Sequence, residues 1–175
     1  MMGRGMFRRG VFQRTVLALG AFAMLAAPAW AQTKNSVTAA ELEQILGEAG
    51  LPVSMMEDSV SGAPVASAQI GNVQFYVRAM ECSGAPQACS TLVFFANFPL
   101  GRSIAQGDYE IVNRFNDSQV YGRAYLLPGS DAVGVDYVIE LEGGVTGDHL
   151  SANIGRWADV IAAFIRHFSD GQRSS

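Results

Sequence analysis

The chain has 175 residues with a formal charge of −4; 49% of them are hydrophobic and only 16% are charged. That is enough apolar material for one core and too little charge for a disordered chain. The acidic balance excludes a nucleic-acid or anionic-lipid binder, whose phosphates it would repel, and the length excludes a multidomain enzyme.

Arg4, Arg8, Arg9 and Arg14 give the chain a basic start. Val16 to Ala27 is then a twelve-residue apolar run, closed by Ala29-Trp30-Ala31. A positive n-region, a short apolar h-region and an A-x-A site form the layout of a secretory signal. A membrane-spanning helix needs about 20 apolar residues, so this run is too short. Cleavage is expected after Ala31, although a retained N-terminal anchor reads much the same in one sequence. Arg8-Arg9 resembles a folded-protein export signal, but the rest of that motif is missing and the ordinary unfolded-chain route fits better. Removing residues 1–31 takes away four arginines and leaves 8 basic against 16 acidic residues, a balance of −8.

Residues 32–37 form a short polar lead, expected to be mobile. Thr38 and Glu41 make a capping box for a helix that carries Leu42, Ile45, Leu46 and Ala49 on one face, with Gly50 as its left-handed stop. Strands follow at Val53 to Ser59 and Val65 to Ile70, and Gly71-Asn72 sits at a two-residue hairpin position. In the next strand, Val73 to Glu81, Val73, Phe75, Val77 and Ala79 alternate with polar neighbours. Thr91 to Phe98 is apolar on both faces, which predicts a central strand covered on both sides. Ile104 to Phe115 is read as a helix with Tyr109, Val112 and Phe115 inward. Val120 to Leu127 is a strand, Pro128 to Asp131 a turn, and Ala132 to Glu142 a strand with one solvated face. In the last helix Leu150, Ile154, Trp157, Ile161, Phe164 and Phe168 recur at spacings of three and four, with Asn153, Arg156, Asp159 and Arg166 opposite. The order is α+β: an antiparallel sheet with helices packed on one face.

Cys82 and Cys89 flank a Gly- and Pro-containing turn. An even cysteine count in an exported chain favours a disulfide, here stapling a hairpin and stabilising it by about 2–3 kcal/mol. A redox pair usually has two intervening residues, not six. A zinc site would need two more ligands from His149 and His167. On one helix those two are five turns apart, about 27 Å, too far to share a metal. The chain has no G-x-S-x-G elbow. Gly143 to Asp148 runs from a strand into a helix, a geometry that can bind phosphate, but Glu140, Glu142 and Asp148 work against an anion there. Glycines for a sharp turn and Thr146 or Asp148 as a cap account for the loop more simply. Asn113 and Asn116 share a helix side. Arg123 and Tyr125 share a strand face, and Arg123 is placed to pair with Asp136 on the next strand.

Asn113-Arg114-Phe115-Asn116, then Tyr121-Gly122-Arg123-Ala124-Tyr125-Leu126, then Gly143-Gly144-Val145-Thr146, and finally Trp157 and Phe164, stand in an order that resembles the YbjN-domain family. The capped first helix also fits, so the resemblance spans roughly Val37 to Phe168. It implies a fold similar to type III secretion chaperones and a role as a regulator of sensory transduction in bacteria, without established catalysis. It supplies no catalytic residues. Phe115 stands where the family usually has Trp. The export signal is the larger departure, because a cytoplasmic regulatory role does not transfer to an exported chain.

The expectations are therefore a signal at 1–31, a lead at 32–37, a YbjN-like domain at 38–169 and a tail at 170–175. The reading is an exported, periplasmic, non-catalytic module without metal or cofactor. It would bind a protein or peptide in a regulatory or chaperone-like role, with a homodimer left open. Asn113, Asn116, Arg123 and Asp136 are its candidate contacts. The alternatives are a small-ligand binder or enzyme with a pocket near Gly143 to Asp148, and a structural envelope protein.

Overall fold

The computed structural model describes residues 33–173; the signal reading at 1–31 lies outside them. Seven strands form one antiparallel sheet: β1 (Val37–Thr38), β2 (Val53–Glu57), β3 (Pro64–Ile70), β4 (Val73–Ser83), β5 (Ala88–Pro99), β6 (Arg123–Leu127) and β7 (Ala132–Glu140). Its order is β2-β3-β4-β5-β7-β6, and β1 pairs with the start of β5. The helices are α1 (Ala39–Glu48), α2 (Gln106–Ser118) and α3 (Gly147–Arg173). The expected α+β class is what the chain adopts.

Local chemistry sets the element ends. Thr38 accepts from the Glu41 amide, and the Glu41 carboxylate accepts from the Thr38 amide at 2.9 Å, so the expected capping box opens α1. Lys34 and Thr38 hold the Glu41 carboxyl below its ordinary range, the lysine hydrogen bond contributing most. Gly50, at φ +78°, supplies the left-handed stop. Ile70 faces Val73 across the two-residue Gly71-Asn72 turn, where Gly71 takes φ +58°. Helix α2 starts two residues later than its periodicity suggests. Asp108 reaches back to accept from the Ala105 amide at 2.9 Å, which fixes the first turn.

The core lies between one sheet face and the helices. Phe75 and Phe94 meet Trp157 of α3 at centroid distances of 5.8 and 6.0 Å. Phe164 touches Phe98 at 5.6 Å and Phe115 at 5.4 Å, tying α3 to the sheet and to α2. Each side chain of this size contributes about 1.5–3 kcal/mol on burial. All six apolar residues of the predicted α3 stripe are buried. Gly122 takes φ +79°, and a Cβ there would stand 2.5 Å from a Val160 methyl, so the turn into β6 closes tightly on α3.

Several expectations are corrected. Strand β5 is central, but only its Leu92, Phe94 and Ala96 side is buried under the helices. Its Val93, Phe95 and Asn97 side is partly or fully exposed. Tyr109 is 44% exposed, and Asp108 and Ile111 take the inward places beside Val112 and Phe115. Asn153, read as outward, is buried on α3. The lead is not free: the Lys34 and Val145 backbones exchange hydrogen bonds at 2.8 and 3.0 Å, and Val37 is fully buried beside Cys89. This segment continues the sheet beyond the end of β7. Helix α3 runs on to Arg173, into the segment read as a tail. There Gly171 comes so close to α2 that a Cβ would stand 2.7 Å from the Ile111 side chain.

Candidate functional site

Among the described residues no helix lies on the second face of the sheet. Its cross-strand rows follow from the register. One row is Ser67, Tyr76, Phe95, Asp136 and Arg123; the next is Val65, Arg78, Val93 and Val138. Tyr76 and Phe95 stack at 5.5 Å, and the Arg78 guanidinium lies 5.6 Å from the Phe95 ring centre. Arg78 also approaches Asp58 at 3.6 Å. Val138 is 46% exposed and Met80 44%, which places an apolar strip beside these aromatics in water. Exposed apolar and aromatic side chains side by side are unusual for a central strand pair.

Arg123 and Asp136 stand opposite each other on this face, as their alternation predicts. Arg123 donates through Nε at 3.3 Å and Nη2 at 2.5 Å. The Asp136 carboxylate is largely buried while the arginine is exposed, and that carboxylate raises the Arg123 pKa. Beside them the Tyr125 ring lies across Gly134, where a Cβ would come within 2.4 Å of it. Tyr125 donates to Asn97 Oδ1 at 2.8 Å. Burial first, and then the Asp136 charge, push its phenol up to about 12, so the hydroxyl remains a donor at any physiological pH.

Asn116 serves the sheet edge. Its carboxamide accepts from the Ala124 amide at 2.7 Å and donates to the Ala124 carbonyl at 3.1 Å. It thereby stands in for a neighbouring strand and covers the outer side of β6. Asn113, three residues earlier, is exposed and makes no side-chain hydrogen bond among the described residues. The structure thus places Arg123 and Asp136 together on the open face and gives Asn116 an edge role. Asn116→Ala is expected to cost about 1–2 kcal/mol in urea denaturation and to increase aggregation on light scattering, while Asn113→Ala leaves both unchanged.

Sequence reasoning missed a polar cluster on the helix side. Tyr137, inward on β7, donates to buried Asn153 Oδ1. Asn153 Nδ2 donates to the His149 carbonyl at 2.7 Å, and Arg156 Nη1 donates to Asn153 Oδ1 at 2.8 Å. The Arg156 guanidinium lies 4.4 Å from the Tyr121 ring centre. The signal was there in part: an inward tyrosine needs a partner for its hydroxyl.

The remaining motifs are used structurally. Thr146 Oγ1 accepts from the His149 amide at 3.2 Å and caps α3. The Gly143 to Asp148 loop is braced by the lead: a Cβ on Gly144 would stand 3.0 Å from Thr33, and Val145 pairs with Lys34. His167 Nε2 is 3.0 Å from the Ile111 carbonyl, which joins α3 to α2. Cys82 and Cys89 face each other on β4 and β5 and are disulfide-bonded. Among the described residues no group of three or more His, Cys, Asp or Glu side chains is arranged to hold a metal ion. Nor is any helix there long and apolar enough to cross a membrane.

A family model, "YbjN: Putative bacterial sensory transduction regulator", matches residues 38–170. No curated protein and no solved structure match the chain.

Proposed function

Because this chain belongs to the YbjN family, described as a regulator of bacterial sensory transduction, we propose that it is an exported regulatory module that binds a protein or peptide and does no catalysis. The observation that carries this reading is the sheet face that no helix of the described residues covers. There Tyr76, Val93, Phe95, Val138 and Met80 offer apolar and aromatic surface, and Arg78 and Arg123 rim it with exposed guanidinium groups. Side chains of this kind anchor protein interfaces. Tyr125 and Asn97 stiffen the floor of the patch, so little order is lost when a partner seats on it.

Export is supported by the N-terminal basic and apolar pattern and by the Cys82–Cys89 disulfide, which persists in oxidising compartments such as the periplasm. Asp136 and Arg123 belong to the proposed contact surface; Asn116 lies at the β6 edge, and Asn113 is the fourth proposed contact, exposed three residues earlier on α2.

A photo-crosslinking amino acid introduced at Val138 in the living cell tests this. It is expected to trap a defined protein partner in the exported fraction, whereas the same group at Gln44, exposed on α1, traps none. A Phe95→Ser variant with an unchanged circular dichroism spectrum is expected to weaken the Val138 adduct at least tenfold. Absence of an adduct at Val138, or the same adducts at both positions, overturns the reading.

A further inference from the structure

We infer that a groove on the helix side of the molecule, across the sheet from its open face, binds a small amphipathic monocarboxylate. The groove holds about 600 Å³ between the C-terminal end of α2, the Val120-Tyr121 loop and α3. Arg156 and Arg166 both line it, together with Asp159.

The argument starts with Arg156. Its Nη1 is anchored by the buried Asn153 carbonyl oxygen, and its plane lies over the Tyr121 ring. Those contacts fix the guanidinium without neutralising it, since neither Arg156 nor Arg166 makes an ion pair with an acid among the described residues. This sets them apart from Arg78, Arg102, Arg114, Arg123 and Arg173, each of which pairs with Asp or Glu. In a chain whose domain carries an excess of acids, two unpaired arginines lining one groove are conspicuous. The Arg156 contacts go through Nη1, which leaves the Nε and Nη2 edge, a fork that matches the two oxygens of a carboxylate.

The balance of charge selects the ligand. Arg156 and Arg166 against Asp159 leave one net positive charge, which suits a single negative one. A dianionic phosphate would bring a second charge up against Asp159 and the negative end of the α2 dipole. The rest of the wall is apolar: Val120 is 87% exposed, and Val160, Ala162 and Ala163 continue the surface. A carboxylate carried on an alkyl or aryl body satisfies both parts. Exposed Val120 is explained by an apolar ligand that covers it.

Calorimetric titration of the exported protein with octanoate tests this, with octylammonium, octanol and octyl phosphate as comparators. Octanoate is expected to bind at least tenfold more tightly than each of the three. Arg156→Gln should weaken octanoate about tenfold, the effect of one charge-assisted hydrogen bond. Arg166→Gln should weaken it several-fold, and the Arg166 side chain makes no hydrogen bond or ion pair among the described residues. Arg78→Gln, on the sheet face, should leave it unchanged, so failure here is distinguishable from failure of the sheet-face reading. Equal binding of octanoate and octylammonium overturns the proposal, as does octanoate affinity unaffected by Arg166→Gln. Tighter binding of octyl phosphate overturns the carboxylate assignment, and tighter binding of acetyl-Val-Leu-Val with a free C-terminus overturns the small-ligand assignment.

Discussion

Trp157→Ala is expected to lower the unfolding free energy by about 3–5 kcal/mol, read from the urea midpoint by circular dichroism. Trp157 is fully buried where α3 meets the sheet, against Phe75 and Phe94. Alanine would leave a cavity between three elements that cannot collapse independently, because the sheet is held by its ladders and α3 by six further buried apolar residues. Its indole Nε1 has no hydrogen-bond acceptor among the described residues, so the site holds a buried donor whose desolvation is uncompensated. Trp157→Phe removes that donor along with part of the volume, and its expected cost is less than half that of alanine. If phenylalanine proved as damaging as alanine, the indole N–H would be making a contact worth more than its desolvation. Phe115 packs edge-on against Phe164, further along α3's stripe, so that end of the core does not depend on Trp157.

What could be read from the residues follows from how many constraints act on each segment. Helix α3 was legible because its apolar spacing repeats over five turns, from Leu150 to Phe168, and one register satisfies all of it. The Thr38–Glu41 capping box and the Gly71 turn were legible because their chemistry is local. The pairing of Arg123 with Asp136 was legible because strand alternation fixed both faces and the short turn fixed the register.

The open side of β5 was not legible, for the complementary reason. Val93 and Phe95 show that both faces are apolar, but nothing in a strand says whether a helix covers it. The three helices of the described residues all settle on the Phe94 side, and none of them covers the Phe95 side. The Tyr137–Asn153–Arg156 cluster was hidden because Asn153 sits at the edge of the α3 stripe. A helical wheel assigns such a residue outward unless the inward tyrosine opposite is known. Tyr109 failed similarly: the α2 register rotated once Asp108, a charged residue, turned inward to meet Arg102. Both errors share a cause. Patterning arguments place polar groups in water, and they fail where two polar groups satisfy each other inside. The two sites proposed above lie at such places, where the sequence pattern and the packing disagree.

Asp108→Ala is expected to cost about 2–4 kcal/mol at pH 7 in urea denaturation, the sum of a charge-assisted pair and a lost helix cap. Asp108 is 2% exposed. Its carboxylate takes two hydrogen bonds from Arg102, at 2.7 and 2.8 Å, and one from the Ala105 amide. Arg102 holds the carboxyl below the ordinary aspartate range, burial opposes this, and the Ala105 amide and the Gln172 side chain add to the lowering. One acid thus ties the entry of α2 to the preceding loop and to the last turn of α3. The sign of its pH dependence follows from that lowered value. The unfolded chain, with a pKa near 3.9, takes up the proton first as pH falls. The stabilisation is therefore complete above about pH 5, shrinks as the pH drops below about 4, and is gone below the folded value. Asp108→Asn keeps the shape but cannot ionise, so it should be markedly less stable than the parent at pH 7. The gap should narrow as the pH falls below about 4 and close only once the parent's lowered carboxyl is protonated too. Urea midpoints of the pair measured from pH 2 to pH 7 check this, and a gap that stayed constant across the range would show that Asp108 acts by packing and not by charge.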